Sequence, residues 1–281
     1  MMDAVLSVRG LCKTYPAFAL QDVTFDLLPG RIMGFIGRNG AGKTTTLKSL
    51  LRLIHPDSGQ VSMFGLDYET HEYRIRQRIG YAGGTVGYFP KKRIRDLVSV
   101  TSSFYEKWDQ TAFDRYAARF DLDITKTPAQ LSDGMRVKLN LALALSHGAE
   151  LLILDEPTSG LDPVSREELL EIFLRVAEEG AAILFSTHII SDLERCADDI
   201  TYIRQGRILT SCPMDEFAGR YRLASGAPAG EAQAAVLGTC RTRQGETHLI
   251  RAADAPLFAG VELTCPGPEE IMIHLERGAE E

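Results

Sequence analysis

The sequence predicts an α/β fold built around a largely parallel sheet. Three observations carry that expectation. A Gly-rich loop lies between an apolar strand pattern and a helical one, an aliphatic run ends in two adjacent carboxylates, and strand and helix patterns alternate from about residue 151 to 204.

Short β-type runs open the chain at 5–9, 23–27 and 31–36. A helical pattern follows, with Leu47, Leu50, Leu51 and Ile54 at helix spacing, and His55-Pro56-Asp57-Ser58-Gly59 ends it. Residues 60–64 read as another strand and 93–120 as two helices. Ser132 and Asp133 are good N-cap types for a helix carrying Val137, Leu139, Leu141, Leu143 and Leu145 on a largely buried surface. Leu151-Leu152-Ile153-Leu154 is a continuous apolar strand of the kind covered on both faces. Helix 163–179, strand 181–186, helix 189–196 and strand 199–204 complete the alternation. After Phe217 the character changes: 223–232 (LASGAPAGEA) reads as a linker, with β-type runs near 247–252 and 261–265 and a weak helix at 268–277. The expected division is a main domain over 1–219 and a small C-terminal accessory domain over 220–281.

Composition fits an ordinary globular protein: 44% of the 281 residues are hydrophobic and 25% charged. The net charge of −7 gives no electrostatic footprint for nucleic acid, and none is expected as a partner. The basic run Lys91-Lys92-Arg93 with Arg95 reads as a solvated face. Five cysteines without CxxC spacing read as reduced thiols. No run approaches the roughly 18 apolar residues that cross a bilayer, and no secretion signal is expected. A membrane-spanning partner would be a separate chain.

Gly37-Arg38-Asn39-Gly40-Ala41-Gly42-Lys43-Thr44 fits the phosphate-loop pattern G-x-x-x-x-G-K-[ST], in the strand–loop–helix context that gives the motif meaning. Glycines let backbone N–H groups turn toward phosphate oxygens, and the helix N-terminus adds partial positive charge. Lys43 is expected on the β/γ-phosphates and the Thr44 hydroxyl on Mg²⁺, with Thr45 following in the same nucleotide-binding turn. Asp155 would lie near the Mg²⁺. Glu156, one residue on, would orient and deprotonate an attacking water.

Four further segments carry a family resemblance. Leu131-Ser132-Asp133-Gly134-Met135 resembles the LSGGQ signature of ATP-binding-cassette (ABC) ATPases. Ser159-Gly160-Leu161-Asp162 resembles their D-loop, Ser186-Thr187-His188 their switch-histidine loop, and Lys13-Thr14-Tyr15 their aromatic A-loop. The resemblance covers residues 4–218. It implies an α/β P-loop NTPase cassette with a mixed sheet core and a helical signature subdomain at about 85–148, followed by a small α+β appendage. It also implies ATP and Mg²⁺ as ligands, with Tyr15 stacking on adenine and His188 contacting the γ-phosphate and the water. Ser132 and Gly134 would serve the ATP of a second ATPase subunit, a copy of this chain or a paralogue, and Asp162 would order that interface. The stretch 155–199 is most similar to single-domain subunits of bacterial ABC-2-type exporters, including peptide exporters. Such subunits sit at the cytoplasmic face of the membrane on a separate permease subunit.

Two departures stand out. The signature has Asp133 where the family has Gly, and Gly84 stands where a Q-loop Gln or Glu is expected. A non-transport ABC ATPase acting on ribosomes or DNA, or a regulatory module with weak hydrolysis, remains the alternative at this point.

Overall fold

The computed structural model describes residues 3–83, 91–226, 228, 230–242 and 245–278. Gly84, and the side chain of Asp133, lie outside the described part. The chain divides into two compact units, Met1–Ser211 and Cys212–Glu281. The division falls before the boundary at 219 expected from sequence. Phe217 is the reason: it is fully buried, its ring 5.8 Å from that of Tyr221, so the helix bearing it belongs to the second unit.

In the first unit, β1 (Leu6–Tyr15) and β2 (Phe18–Leu27) pair antiparallel. The fully buried strand β3 (Ile32–Ile36) leads through the Gly-rich loop into α1 (Lys43–Leu50). β4 (Ser58–Met63) and β5 (Leu66–Asp67) extend the first sheet to the order β2-β1-β4-β5. The Asp67 side chain caps α2 (Tyr68–Arg76), which precedes β6 (Ile79–Gly83). Three helices follow: α3 (Ile94–Ser102), α4 (Gln110–Arg119) and α5 (Asp133–Leu145). The alternating half is β7 (Leu151–Asp155), α6 (Pro163–Glu178), β8 (Ala182–Thr187), α7 (Ile190–Cys196), β9 (Asp199–Arg204) and β10 (Arg207–Pro213).

These strands build a six-stranded sheet of order β10-β9-β3-β8-β7-β6. The four pairs from β9 to β6 run parallel. Leu151, Leu152, Ile153 and Leu154 are all 0% exposed, which explains the unbroken aliphatic run. Phe35 pairs with Ser186, Ser186 with Asp155, and Asp155 with Gly83, so four strands end in one crosswise row. Beneath them lies a core containing Leu6, Phe25, Phe35, Leu47, Leu184 and Ile203. Burial of each such side chain stabilises by roughly 1.5–3 kcal/mol.

The second unit contains α8 (Met214–Gly219), β11 (Tyr221–Ser225), α9 (Glu231–Ala234), β12 (Val236–Thr242), β13 (Gly245–Arg251), β14 (Glu262–Thr264) and α10 (Pro268–Arg277). Its sheet has the order β12-β13-β11-β14 and is antiparallel. The expected linker at 223–232 is therefore corrected at its start. Leu223 and Ala224 sit in an interior strand, and Ala224 packs with Ile250 and Phe258. Small size at that position reflects close packing, which composition alone reads as a loop.

Candidate functional site

The loop after β3 is shaped by close approaches. A Cβ on Gly37 would stand 2.3 Å from the Ile203 carbonyl oxygen, so only glycine fits there. Gly42 takes φ 114° at the N-cap of α1, and a Cβ there would also meet the Phe18 ring at 2.9 Å. Between them, Arg38, Asn39 and Gly40 are exposed and Ala41 is buried. The Ala41 amide donates to the Arg38 carbonyl at 3.0 Å, and the Ala41 carbonyl accepts from Gly206 at 2.9 Å. The loop is thus tied to the β9–β10 turn.

Lys43 is buried beneath this loop. Its Nζ donates to the Gly37 carbonyl at 2.8 Å and lies 3.2 Å from Glu156 Oε1. Oε2 of Glu156 lies 2.7 Å from His188 Nδ1. An ionised carboxylate can only accept, so Nδ1 carries the proton in this contact. Glu156 adopts φ 52°, a left-handed conformation that costs a non-glycine residue energy and recurs at functional sites. The end of β7 turns there, leaving its side chain between the phosphate loop and His188.

Thr44 follows on the exposed side of α1, and its hydroxyl donates to Asp155 Oδ1 at 3.1 Å. Both are hard oxygen donors, the chemistry Mg²⁺ prefers, so the pair fits that ion. Thr45 is half-buried one residue on, and its carbonyl accepts from the Ser49 hydroxyl at 2.8 Å. Sequence reasoning gave Ser186 no role. Its hydroxyl donates to Asp155 Oδ1 at 2.6 Å and accepts from the Glu156 amide at 2.9 Å. One serine on β8 therefore holds the Asp155 carboxylate and the backbone of Glu156, the residue that follows β7. The signal for it is register, visible only once the strands are paired.

Tyr15 ends β1, 38% exposed, with Lys13 Nζ 5.8 Å from its ring centroid. Asp57 braces this strand end: it accepts from Lys13 Nζ at 2.7 Å and from the Thr14 amide at 2.7 Å. Those hydrogen bonds hold its carboxyl below the ordinary value. Asp57 reads in sequence as a helix-stop residue only. The hairpin tip that carries Tyr15 and Phe18 stands beside Gly42.

Ser132 caps α5, its hydroxyl accepting from the Met135 amide at 3.3 Å. A Cβ on Gly134 would meet Leu161 at 3.3 Å, so the signature lies against the 159–162 turn. Asp162 Oδ1 accepts from the Val164 and Ser165 amides at 3.0 Å each, capping α6. The contacts to Ser165, then Val164, lower its pKa. Among the described residues no hydrogen bond or ion pair joins Ser132, Gly134 or Asp162 to the phosphate loop. Two sets of contacts result: Lys43 and His188 with Glu156 and Thr44 with Asp155 in one, and Gly134 against Leu161 beside Asp162 in the other.

A glycine-lined loop before a helix, a buried lysine and a carboxylate set between that lysine and a histidine form the arrangement of a nucleoside-triphosphate-hydrolysing cassette. The family described as ABC transporter matches residues 20–159. The chain is 34% identical over 225 residues to the bacitracin transport ATP-binding protein of Bacillus licheniformis, spanning 79% of this chain and 74% of that one. It is 33% identical to a daunorubicin resistance ATP-binding protein of Streptomyces coeruleorubidus, over 77% of this chain and 70% of that one. A solved ATP-binding subunit of an ABC transporter superposes with TM-score 0.70 at 30% identity, covering 76% of this chain and 92% of that one. The chain belongs to the ATP-binding subunits of ABC transporters and is an ATPase of that family.

Proposed function

We propose that the chain is one of two ATPase subunits driving export of peptide or drug-like cargo through a separate membrane-spanning permease subunit. The observation that carries the catalytic part is Glu156, met on one oxygen by Lys43 and on the other by His188. In this reading the loop 37–45 and Lys43 hold the ATP phosphates, and Tyr15 stacks on adenine. Thr44 and Asp155 hold Mg²⁺, which supplies charge neutralisation at the phosphates. Glu156 removes the proton from the attacking water, and His188 holds Glu156 in place while its Nε2 side faces the γ-phosphate.

Ser132 and Gly134, with the N-terminus of α5, serve the ATP held by the second subunit, and Asp162 orders the turn between them. What supports this is the exposure of Ser132 at the N-terminus of α5 and the packing of Gly134 against Leu161. The permease reading is supported by two features. Among the described residues no helix is long and apolar enough to cross a membrane. A groove of about 540 Å³ is lined in part by Tyr73, Leu97, Val100, Phe104 and Tyr105, and Phe104 is 69% exposed. An exposed apolar groove on a subunit of this family suits a short helix of the permease. Export, rather than uptake, is supported by relatives named for bacitracin transport and daunorubicin resistance.

The test is to tag the chain in its native cell, solubilise gently and identify what co-purifies. A multi-span membrane protein in near-equal amount is expected. A soluble pool bound to ribosomes or to DNA-associated proteins would overturn the transporter reading.

A further inference from the structure

Asp192 is a buried acid that the mechanism above does not use. It lies in α7, one turn after His188, and is 1% exposed. Its Oδ1 lies 3.9 Å from Arg166 Nε, in the first turns of α6. Thr158, two residues after Glu156 and 0% exposed, is near enough to lower the pKa of the same carboxyl. Three segments therefore meet at one polar spot: the turn bearing Glu156, the helix capped by Asp162, and the helix that follows His188.

The spot is not satisfied as ordinary packing would be. Asp192 Oδ2, Thr158 Oγ1 and Arg166 Nε are each buried without a completed hydrogen bond. Buried polar atoms left in that state are uncommon and ask for a reason beyond stability. An apolar trio would fill the same volume at lower cost if filling were the need. Burial pushes the Asp192 carboxyl above its ordinary value; Thr158, Arg166 and His188 pull it back, and Glu156 adds to the rise. The carboxyl is therefore within electrostatic reach of both catalytic side chains.

We propose that Asp192 is a positioning residue: by holding Thr158 and Arg166 it locks the Glu156 turn and the start of α6 to α7, so that His188 meets Glu156. The inference rests on the ATPase reading of this site. It makes the histidine segment and the 159–162 turn move as one piece, linking the catalytic face of one subunit to the turn that faces the other. A general base displaced by about 1 Å loses on the order of 10²-fold in rate, so the effect belongs in kcat.

The test uses the full chain with its co-purified membrane partner. Asp192→Ala should lower kcat about 10- to 100-fold while ATP affinity, read with a fluorescent ATP analogue, stays within about twofold. Asp192→Asn keeps the shape and an acceptor oxygen, and should keep most of kcat. If Asp192→Ala does not fold, Thr158→Val serves instead, removing only the hydroxyl, and should also lower kcat with ATP affinity unchanged. Wild-type kcat in whichever of these two variants is read, or a fall in ATP affinity matching the fall in kcat, overturns the proposal. The reading beneath it fails differently: the wild-type protein itself would then turn over no more ATP than Lys43→Ala.

Discussion

Nζ of Lys43 stands 3.2 Å from Oε1 of Glu156, so the lysine proposed to bind phosphate and the carboxylate proposed as general base form one ion pair. On that reading an entering γ-phosphate competes with Glu156 for the lysine. Binding nucleotide would then release the carboxylate toward the water it is to activate. The pair lies mostly out of solvent, with side-chain exposures of 6% and 24%, which keeps the coupling from being screened away.

Glu156→Gln tests this directly. Without the base, kcat should fall by about 10²–10⁴-fold. With a neutral partner, Lys43 is freed for phosphate, so ATP affinity should hold or rise and an ATP-bound dimer should accumulate. Single-turnover hydrolysis together with size-exclusion chromatography in ATP reads both. Wild-type turnover would remove Glu156 from the mechanism.

Lys43→Ala should act in the opposite sense on binding. Truncating one member of a buried charge pair costs about 2–5 kcal/mol. That is a loss of at least about 30-fold in ATP affinity, which isothermal titration would measure. Unchanged affinity would show that the loop binds phosphate without its lysine.

Ser186→Ala removes the hydroxyl that bridges Asp155 Oδ1 and the Glu156 amide. A hydrogen bond to a charged group contributes about 1.5–3 kcal/mol. We expect about a tenfold or greater fall in kcat, a higher Mg²⁺ concentration for half-maximal rate, and a melting temperature lowered by a few degrees. Steady-state ATPase across a Mg²⁺ series separates this outcome from simple destabilisation.

The pH dependence of stability should carry the mark of His147. Its ring is 1% exposed and stacks on Tyr105 with centroids 3.8 Å apart. Burial lowers its pKa from 6.5 to about 4. Between those values the unfolded chain binds the proton and the folded one does not, so stability rises with pH across that window. The contribution is complete above about pH 6.5 and is lost as pH falls toward 4, up to about 3 kcal/mol. Urea melts from pH 4 to 7 on wild type and His147→Gln should show a shallower slope for the variant.

Much of this site was legible in the sequence because its chemistry is local. The phosphate loop is one continuous run between a strand and a helix, and Asp155 and Glu156 end one apolar strand. Ser132 was readable as an N-cap from residue type alone, and the structure places it there. What was not legible depends on pairing between distant segments. Ser186 acts through the register of β7 against β8. Asp57 steadies Tyr15 from a turn more than forty residues away, at |i−j| of 43 for its bond to the Thr14 amide. Asp192 collects its neighbours from one other helix and one turn. In the C-terminal unit Ala224, within a stretch of small residues, misled, since tight interior packing and looseness draw on the same amino acids.

The crosswise row of Phe35, Ser186, Asp155 and Gly83 has an evolutionary implication. Asp155, Glu156, Ser186 and His188 sit at or near strand termini whose offsets are set by their neighbours' backbone ladders. Insertions and deletions in the long excursion between β6 and β7 leave those offsets alone. A single residue added inside β7 or β8 would shift Asp155 or Ser186 to the opposite side of the sheet. The surface proposed to meet a membrane partner can thus change, residue count included, while strand alignment keeps Asp155 and Ser186 in place.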